Sequence, residues 1–402
     1  MWRFRLTVSI QVSAYAILAL ALPQSGRAAE FFCLSGDVTC LIAAINEANV
    51  TPEEEDTIFL EAGSYTLTAV DNDTDGPNGL PSITSNITIQ GASADLTVVE
   101  RDCDALRFRI FHVAAEGSLT LAGLSIMRGS LTSAPQRGGG IFNNGMVTIT
   151  DCILANNDAL FGGGGILNGV TGTLTIAHST ITRNFALLIG GGGIRNSGIL
   201  TIADGTISSN VALDASPGGG GILNEQTGIL TITSSTIANN TSVVFGGGGI
   251  LNNGMLTVTN STIAGNRTSS RPAGGISNGS SATAELQNTI LALNTRSMGL
   301  PSDCSGSVTS LGNNLIGDTT GCTIDLLETD ITGDPGLEEL TDDGTPGRGH
   351  FPLLADSQAI DGGNDEACPP NDQLGQERAD GDGDGIVTCD IGAVEFQPAL
   401  EP

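Results

Sequence analysis

The chain has 402 residues, of which 56 are glycine and 4% are aromatic, while hydrophobic residues still make up 39%. All 15 basic residues are arginine, and 44 acidic residues bring the formal net charge to −29. Because nucleic-acid binding requires a positive surface, this charge excludes that class of partner. The acidity instead favours solubility and cation binding, and the length allows two or three modules.

The N-terminus predicts a signal peptide over residues 1–29. Arg3 and Arg5 form its positive end, residues 8–22 are apolar, and small residues follow. A membrane anchor is the alternative, but an apolar run of about 15 residues is shorter than the roughly 20 needed to span a bilayer. We therefore expect a secreted or cell-surface protein with no transmembrane segment in the mature chain.

Residues 30–55 predict an N-terminal cap. The stretch "TCLIAAINEAN" can form one short helix, with Thr39 as its N-cap and Asn49 at its end. Its apolar residues fall on one face: Leu41, Ile42, Ile45 and Ala48. We expect this face to lie over the first coil of the next module, because the open end of a solenoid needs a cover.

Residues 56–320 predict an all-β parallel β-helix, that is, a solenoid. Six glycine blocks recur every 25 to 28 residues and end at Gly140, Gly165, Gly193, Gly221, Gly249 and Gly275. After each block come "I-x-N", a "L-T-I" element and a "S-T-I" element, which place isoleucine at 153, 181, 207, 237, 263 and 290. Apolar residues alternate with period two over three to five residues, which indicates short strands. Three strands in a unit of this length fit one coil.

Asparagine recurs at two positions of each unit. One set follows the glycine block and includes Asn196, Asn224 and Asn252; another closes the unit at Asn156, Asn184, Asn210, Asn240 and Asn266. We interpret both sets as ladders of side-chain amides that join neighbouring coils. The glycines allow tight turns where backbones pack closely.

One column of polar residues is a candidate catalytic site. Two residues after each "L-T-I" element lie Asp151, His178 and Asp204, which stacking would bring to adjacent coils. A carboxylate–imidazole–carboxylate row can perform acid–base chemistry. The alternative is a row of turn residues, since Asp, Asn and Ser are common in turns.

The cysteines predict disulfides in the exported chain. Six of the eight form close pairs in sequence, so that proximity predicts Cys33–Cys40, Cys304–Cys322 and Cys368–Cys389. Cys103 and Cys152 are left over and expected to be free thiols.

The C-terminal part differs in chemistry and predicts a separate acidic cap over residues 321–402. Residues 300–402 carry 22 acids and two arginines, whereas residues 138–299 are nearly neutral. Within it, "DGDGDGIVTCD" places Asp380, Asp382 and Asp384 at alternate positions, as in calcium loops, with Asp390 as a further carboxylate. The acid expected at the twelfth position is absent, so a calcium site and a solvated acidic turn both stay open.

Several stretches together carry a family resemblance. They are "DTIFLEAGSYTLT", "SNITIQG", the "GGGGILN" coils and the tail "PLLADSQAIDGGN…DQLGQERADGDGDGIVTCDIGAVEF". The chain resembles the bacterial secreted right-handed β-helix proteins of the pectin-lyase-like superfamily that have a CSLREA-type N-terminus and a choice-of-anchor C-terminal domain. The coils are also similar to polymorphic outer-membrane and adhesin-like repeats. In "CLIAAINEAN" the Arg-Glu pair of the family is replaced by apolar residues.

The resemblance implies a right-handed single-stranded parallel β-helix and export, but no single activity, since this fold hosts enzymes and adhesins alike. We expect a non-catalytic binding or structural role towards a polysaccharide or protein. The alternative is a polysaccharide lyase or glycoside hydrolase. Repeat lengths between residues 138 and 299 leave no long loops to wall a cleft, whereas irregular insertions near residues 71–81 and 128–137 keep the enzyme alternative open.

Overall fold

The computed structural model of the protein describes residues 28–52, 54–131, 137–213, 218–270, 272–381 and 383–397. Residues 1–27, which hold most of the predicted signal peptide, lie outside this part of the chain. The described chain is an all-β, right-handed parallel β-helix, as the repeat and the resemblance predict. Each full coil passes in turn through four sheets, which we name A, B, C and D.

Sheets A and B are the longest, with 11 strands each. The strands of sheet A are Glu30–Cys33, Glu55–Leu60, Asn86–Gln90, Ser118–Ala122, Met146–Thr150, Thr173–Ala177, Ile199–Ala203, Ile229–Thr233, Met255–Thr259, Thr283–Gln287 and Thr309–Ser310. Those of sheet B are Gly63–Leu67, Thr97–Arg101, Ser125–Met127, Ile153–Ala155, Thr180–Thr182, Thr206–Ser208, Thr236–Ala238, Thr262–Ala264, Ile290–Ala292, Leu315–Ile316 and Ile331–Thr332.

Sheets C and D complete the coil with 8 and 9 strands. Sheet C consists of Ser130–Leu131, Asp158–Ala159, Phe185–Ala186, Val211–Ala212, Thr241–Ser242, Arg267–Thr268, Thr295–Arg296 and Leu300–Pro301. Sheet D consists of Phe111–Val113, Ile141–Asn143, Ile166–Asn168, Ile194–Asn196, Ile222–Asn224, Ile250–Asn252, Ile276–Asn278, Cys304–Ser307 and Cys322–Thr323. A small extra sheet pairs Gly218–Gly219 with Gly246–Gly247.

The core is a set of vertical files of aliphatic side chains. In sheet B, Ile181 pairs with Ile207, which pairs with Ile237, and all three are fully buried. In sheet A the pattern T-L-T-I-A buries the leucine and the isoleucine and leaves the alternate residues outward. Because a strand turns successive side chains to opposite faces, the period of two in the sequence is sufficient to fill this core.

Two positions of the predicted isoleucine file are wrong by one residue. Leu154, rather than Ile153, pairs with Ile181, and Leu291, rather than Ile290, pairs with Ile263. Branched aliphatic residues suit either face of a strand, so two consecutive apolar letters do not decide which one points inward. The same shift places Asn157, not Asn156, in the asparagine ladder described next.

Two buried ladders of asparagine side chains connect the coils. In each ladder the side-chain Nδ2 of one residue donates to the side-chain Oδ1 of the next residue along the solenoid. The first ladder, at the end of sheet D, joins Asn143, Asn168, Asn196, Asn224, Asn252 and Asn278. The second, between sheets B and C, joins Asn157, Asn184, Asn210, Asn240, Asn266 and Asn294 and ends on Asp303.

The glycine blocks lie where the chain passes from sheet C to sheet D. Gly191 has φ +81°, and a Cβ there would lie 2.4 Å from the carbonyl oxygen of Ile194. Its neighbour Gly192 has an ordinary φ, but a Cβ there would lie 2.4 Å from the carbonyl oxygen of Gly220 in the next coil. Tight turning and close stacking of backbones therefore both require glycine.

The N-terminal helix α1, Val38–Ala48, packs on the first coils. Asp37, not Thr39, is its N-cap, because the Asp37 carboxylate accepts a hydrogen bond from the amide of Cys40. Asn49 ends the helix as predicted. Sheet A begins before this helix, since Glu30–Cys33 pairs with the strand Glu55–Leu60. No helix in the described chain has the length and apolarity needed to cross a bilayer.

Residues 334–397 form a segment that we call the strap, which lies along the outer side of sheet B. Its anchors are the outward threonines of the "S-T-I" elements. Thr180 Oγ1 accepts from the amide of Gly347, and Thr262 Oγ1 accepts from the amide of Ala393. Between them, the buried Gln373 side chain accepts from the Thr236 hydroxyl. Apolar contacts of the strap involve Phe351, Leu353 and Ile391.

Removal of one ladder amide should destabilise the whole solenoid. Asn210 is fully buried, and its side chain accepts from Asn184 and donates to Asn240 and to the carbonyl of Ile181. Because Asn210→Ala leaves these partners unsatisfied, we expect a loss of roughly 2–4 kcal/mol in the free energy of unfolding, measured by denaturant titration. The control Asn253→Ala removes a half-buried amide outside the ladder; an equal loss there would contradict the ladder's role.

Candidate functional site

The predicted catalytic column occupies the turn between sheets A and B. The register Thr150–Ala177–Ala203 places Asp151, His178 and Asp204 on adjacent coils, as predicted. All three have φ between 44° and 52°, and the equivalent residues of the following coils, Ser234, Asn260 and Asn288, share this left-handed conformation. Asp, Asn, Ser and His are found here because the turn requires that conformation. The column is therefore first a row of turn residues.

Only two of the three candidates contact each other. His178 Nε2 lies 3.9 Å from Asp204 Oδ2, and burial raises the pKa of Asp204 above its usual value. Gly347 of the strap packs directly against the backbones of both residues. Asp151 forms no ion pair with His178 in the described chain, and its side chain instead borders a cavity. The three residues do not form one reactive unit.

That cavity, of about 620 Å³, lies between the strap and the N-terminal coils. The strap loop at residues 343–346 forms one wall, and the chain at residues 92–95 forms the other. Three carboxylates border it: Asp95, Asp151 and Asp343. The wall comes from a segment some 190 residues away in sequence from Asp151, which is why repeat lengths alone gave no sign of a cleft.

The electrostatics at Asp343 do not suit a general acid. Hydrogen bonds from the backbone and side chain of Thr345 hold the pKa of Asp343 below its usual range, so this group stays ionised at neutral pH. A glycosidase general acid needs the opposite shift. The arrangement can accept hydrogen bonds and attract cations, but it offers no proton donor at Asp343.

A buried hydroxyl column behind the turn was not recognised in the sequence. Ser179 Oγ accepts from the amide of Cys152 and donates to the carbonyl of Ala177, and Ser235 and Ser261 repeat this geometry in later coils. Cys152 occupies the same position one coil earlier. Burial raises the pKa of its thiol to about 12, so Cys152 is an unreactive structural residue.

A second missed cluster holds the two irregular upstream insertions together. The guanidinium of Arg109 is fully buried and donates to the side chain of Asn78 and to the carbonyl of Arg137, one residue in each insertion. Burial lowers the Arg109 pKa to about 9. Next to it, His112 bonds Ser82 Oγ through Nδ1 at 2.9 Å. The signal available in the sequence was the presence of Arg109 and His112 within the otherwise apolar run "RFRIFHV".

The predicted calcium ligands do not converge in the described chain. Both oxygens of Asp380 accept backbone amides, from Gly383 and Gly385, and Asp382 lies outside the described residues. Asp390 is buried and accepts from the amides of Asp361 and Phe396, so it belongs to the interior of the strap. One described trio of possible ligands, Asp102, Cys103 and Asp104, clusters elsewhere, in an exposed turn. Calcium binding stays a prediction of the sequence.

The disulfide prediction is confirmed. Cys33–Cys40, Cys304–Cys322 and Cys368–Cys389 are bonded, and Cys103 and Cys152 are free. The first bond ties α1 to sheet A, the second closes the last coils of sheet D, and the third lies within the strap.

Comparisons with known proteins show only a distant structural similarity. No family model matches it, and no curated protein matches it. Among solved structures it is similar to the A-module of the Azotobacter vinelandii mannuronan C-5 epimerase AlgE6, with 15% identity over 75% of this chain and 96% of that chain and a TM-score of 0.36. A similarity of this size carries no argument about activity.

The strap should lose stability as the pH rises. Burial, with the nearby Glu395 carboxylate, raises the pKa of Asp390 to about 7. A carboxyl whose pKa is higher in the folded state stabilises it fully below the ordinary pKa and loses that effect as the pH rises through about 7. We expect the melting temperature to fall between pH 5 and pH 8, and to fall less in Asp390→Asn. The exposed control Asp356→Asn should keep the full dependence; identical profiles for the two variants would contradict this assignment.

Calcium should stabilise the protein if the aspartate loop binds it. At a hundredfold excess over the dissociation constant, binding to the folded state adds about 2.7 kcal/mol. We expect calcium, but not an equal concentration of sodium, to raise the melting temperature, and Asp382→Ala to remove the gain. An unchanged melting temperature in calcium would exclude the site.

Proposed function

We propose that the protein is an exported, extracellular or cell-surface β-helix protein with a non-catalytic, adhesin-like binding or structural role. The observation that carries this proposal is the conformation and packing of the turn between sheets A and B. Its polar column consists of turn residues in the left-handed conformation, and the strap packs on the part that contains His178 and Asp204. The sequence motif that most resembled a reactive centre therefore has a structural explanation.

Four further features support the extracellular part of the proposal. Three disulfides suit an oxidising compartment. The sequence of residues 1–29 has the pattern of a signal peptide, and the resemblance of the tail to choice-of-anchor domains supports a surface location. The net charge of −29 keeps such a rigid rod soluble and suits surroundings rich in cations.

An enzymatic role in polysaccharide cleavage is the second candidate, favoured by the cavity beside the strap. Its three carboxylates could flank a sugar chain, as glycosidases require of a carboxylate pair. Against it, the ionised state of Asp343 removes one candidate for the acid, and His178 does not border the cavity.

An activity screen separates the two candidates. The purified full chain is incubated with neutral and acidic polysaccharides, in calcium and in EDTA, and new reducing ends and unsaturated products are measured. We expect neither to accumulate. Turnover that disappears in Asp151→Asn or in His178→Ala, while the exposed control Asp356→Asn keeps it, would overturn the non-catalytic proposal.

A further inference from the structure

The outer side of sheet A is an uncharged face on a highly charged protein. We call it the threonine face: the outward residues of the seven strands from Asn86–Gln90 to Met255–Thr259. Each strand contributes three outward residues, and none of these residues is charged. The whole chain has 59 acidic and basic residues, so a neutral surface of seven consecutive coils is a specific feature.

The centre of this face is an uninterrupted row of threonine. The row extends one strand beyond the face, to Thr57, so that eight consecutive coils pair threonine with threonine at the same position, spaced by about 4.8 Å: Thr57, Thr88, Thr120, Thr148, Thr175, Thr201, Thr231 and Thr257. All eight are partly exposed, and their hydroxyl groups make no hydrogen bond within the described chain. The corresponding threonines of sheet B hold the strap, whereas these are free to bind something else.

Apolar and aromatic side chains border the long edges of the face, and the threonine row itself ends on Glu30 and Glu285. Along one edge, Met146, Ile199, Ile229 and Met255 are each more than 40% exposed. Along the other edge, at the N-terminal end, the rings of Phe32 and Phe59 stack with centroids 5.0 Å apart, and Phe32 is 68% exposed. Register places these two rings in line with Gln90 of the next coil.

We propose that the threonine face binds an uncharged polysaccharide that lies along the solenoid axis. This inference rests on the proposed binding function and specifies its ligand class. The threonine hydroxyls donate to and accept from sugar hydroxyls at a regular spacing, the exposed methionines and isoleucines cover the apolar faces of the sugar rings, and Phe32 and Phe59 form a stacking platform at one end.

Charge and residue composition argue against an acidic polysaccharide, a second copy of the chain or another protein as the ligand of this face. An acidic polysaccharide would approach a chain of net charge −29 through repulsion and would find no cation on the face. A second copy of the chain would double that repulsion. A protein partner would be expected to meet arginine, tyrosine or tryptophan near the centre of its site, and the face has none.

An ordered lattice of water fits less well than a flexible sugar chain. A crystal lattice requires every column of the face to repeat, but only the central column is constant. The edge column changes from Ser118 through Met146 to Thr173 and Ile199 in successive coils. A polysaccharide tolerates this variation because its rings adjust individually.

The test is retention of the full chain by polysaccharide probes. Amorphous cellulose, chitin and glucomannan are the neutral probes, and alginate and polygalacturonate are the acidic probes, in pull-down and affinity electrophoresis. We expect retention by at least one neutral probe and by neither acidic probe. Retention should be the same in low and high salt, because no charge contributes to it.

Two matched pairs of variants locate the surface. Thr201→Asp introduces a charge into the middle of the row and should weaken binding about tenfold or more; Thr241→Asp, a half-buried threonine on sheet C, should bind normally. Phe32→Ala should weaken binding several-fold, whereas Phe245→Ala, which removes another exposed ring away from sheet A, should not. Melting temperatures verify that each variant is folded.

Any of four results overturns the inference: retention by no neutral probe, retention by acidic probes alone, equal losses in Thr201→Asp and Thr241→Asp, or inhibition of ice growth without polysaccharide retention. These outcomes are distinct from failure of the proposed function. Turnover of a probe would remove the non-catalytic role, whereas absence of retention without turnover would remove only this ligand and this surface.

Discussion

Every surface of this protein depends on vertical register, because residues one repeat apart lie directly over each other. Buried asparagine amides enforce that register. Each interior side chain of the two ladders accepts from the coil before it and donates to the coil after it, so a slip of one residue would leave many buried polar groups unpaired. The aliphatic core alone would tolerate such a slip more easily. In one coil, for example, Leu154 fills the core position that the sequence pattern predicts for its neighbour Ile153.

Register aligns each outward position into a row along the solenoid, and the rows have different uses. On sheet B the threonine row, exemplified by Thr180 and Thr262, binds the strap. On sheet A the matching row around Thr201 stays open. The row that contains His178 forms the turn between the two sheets. A single repeat thus provides an anchoring face, an open face and the corner that separates them.

The fold was predictable because every repeat unit contains the local signals of its own structure: a period of two for the strands, glycine for the corners and asparagine for the ladders. The strap was not, because its contacts join Gln373 to Thr236 and Gly347 to Thr180 over more than 130 residues, and its own sequence has no repeat. Composition revealed only that the segment was acidic. For the same reason Asp390 was assigned to a calcium loop, although it is buried within the strap.

Register is most directly tested by the distance between two spin labels on the threonine row, in a Cys103→Ser background that removes the exposed free thiol. Labels at Thr88→Cys and Thr257→Cys are six coils apart, which predicts a narrow distribution centred at about 29 Å from a spacing of about 4.8 Å per coil. A broad distribution, or a mean far from that value, would contradict the stacked register and every surface derived from it.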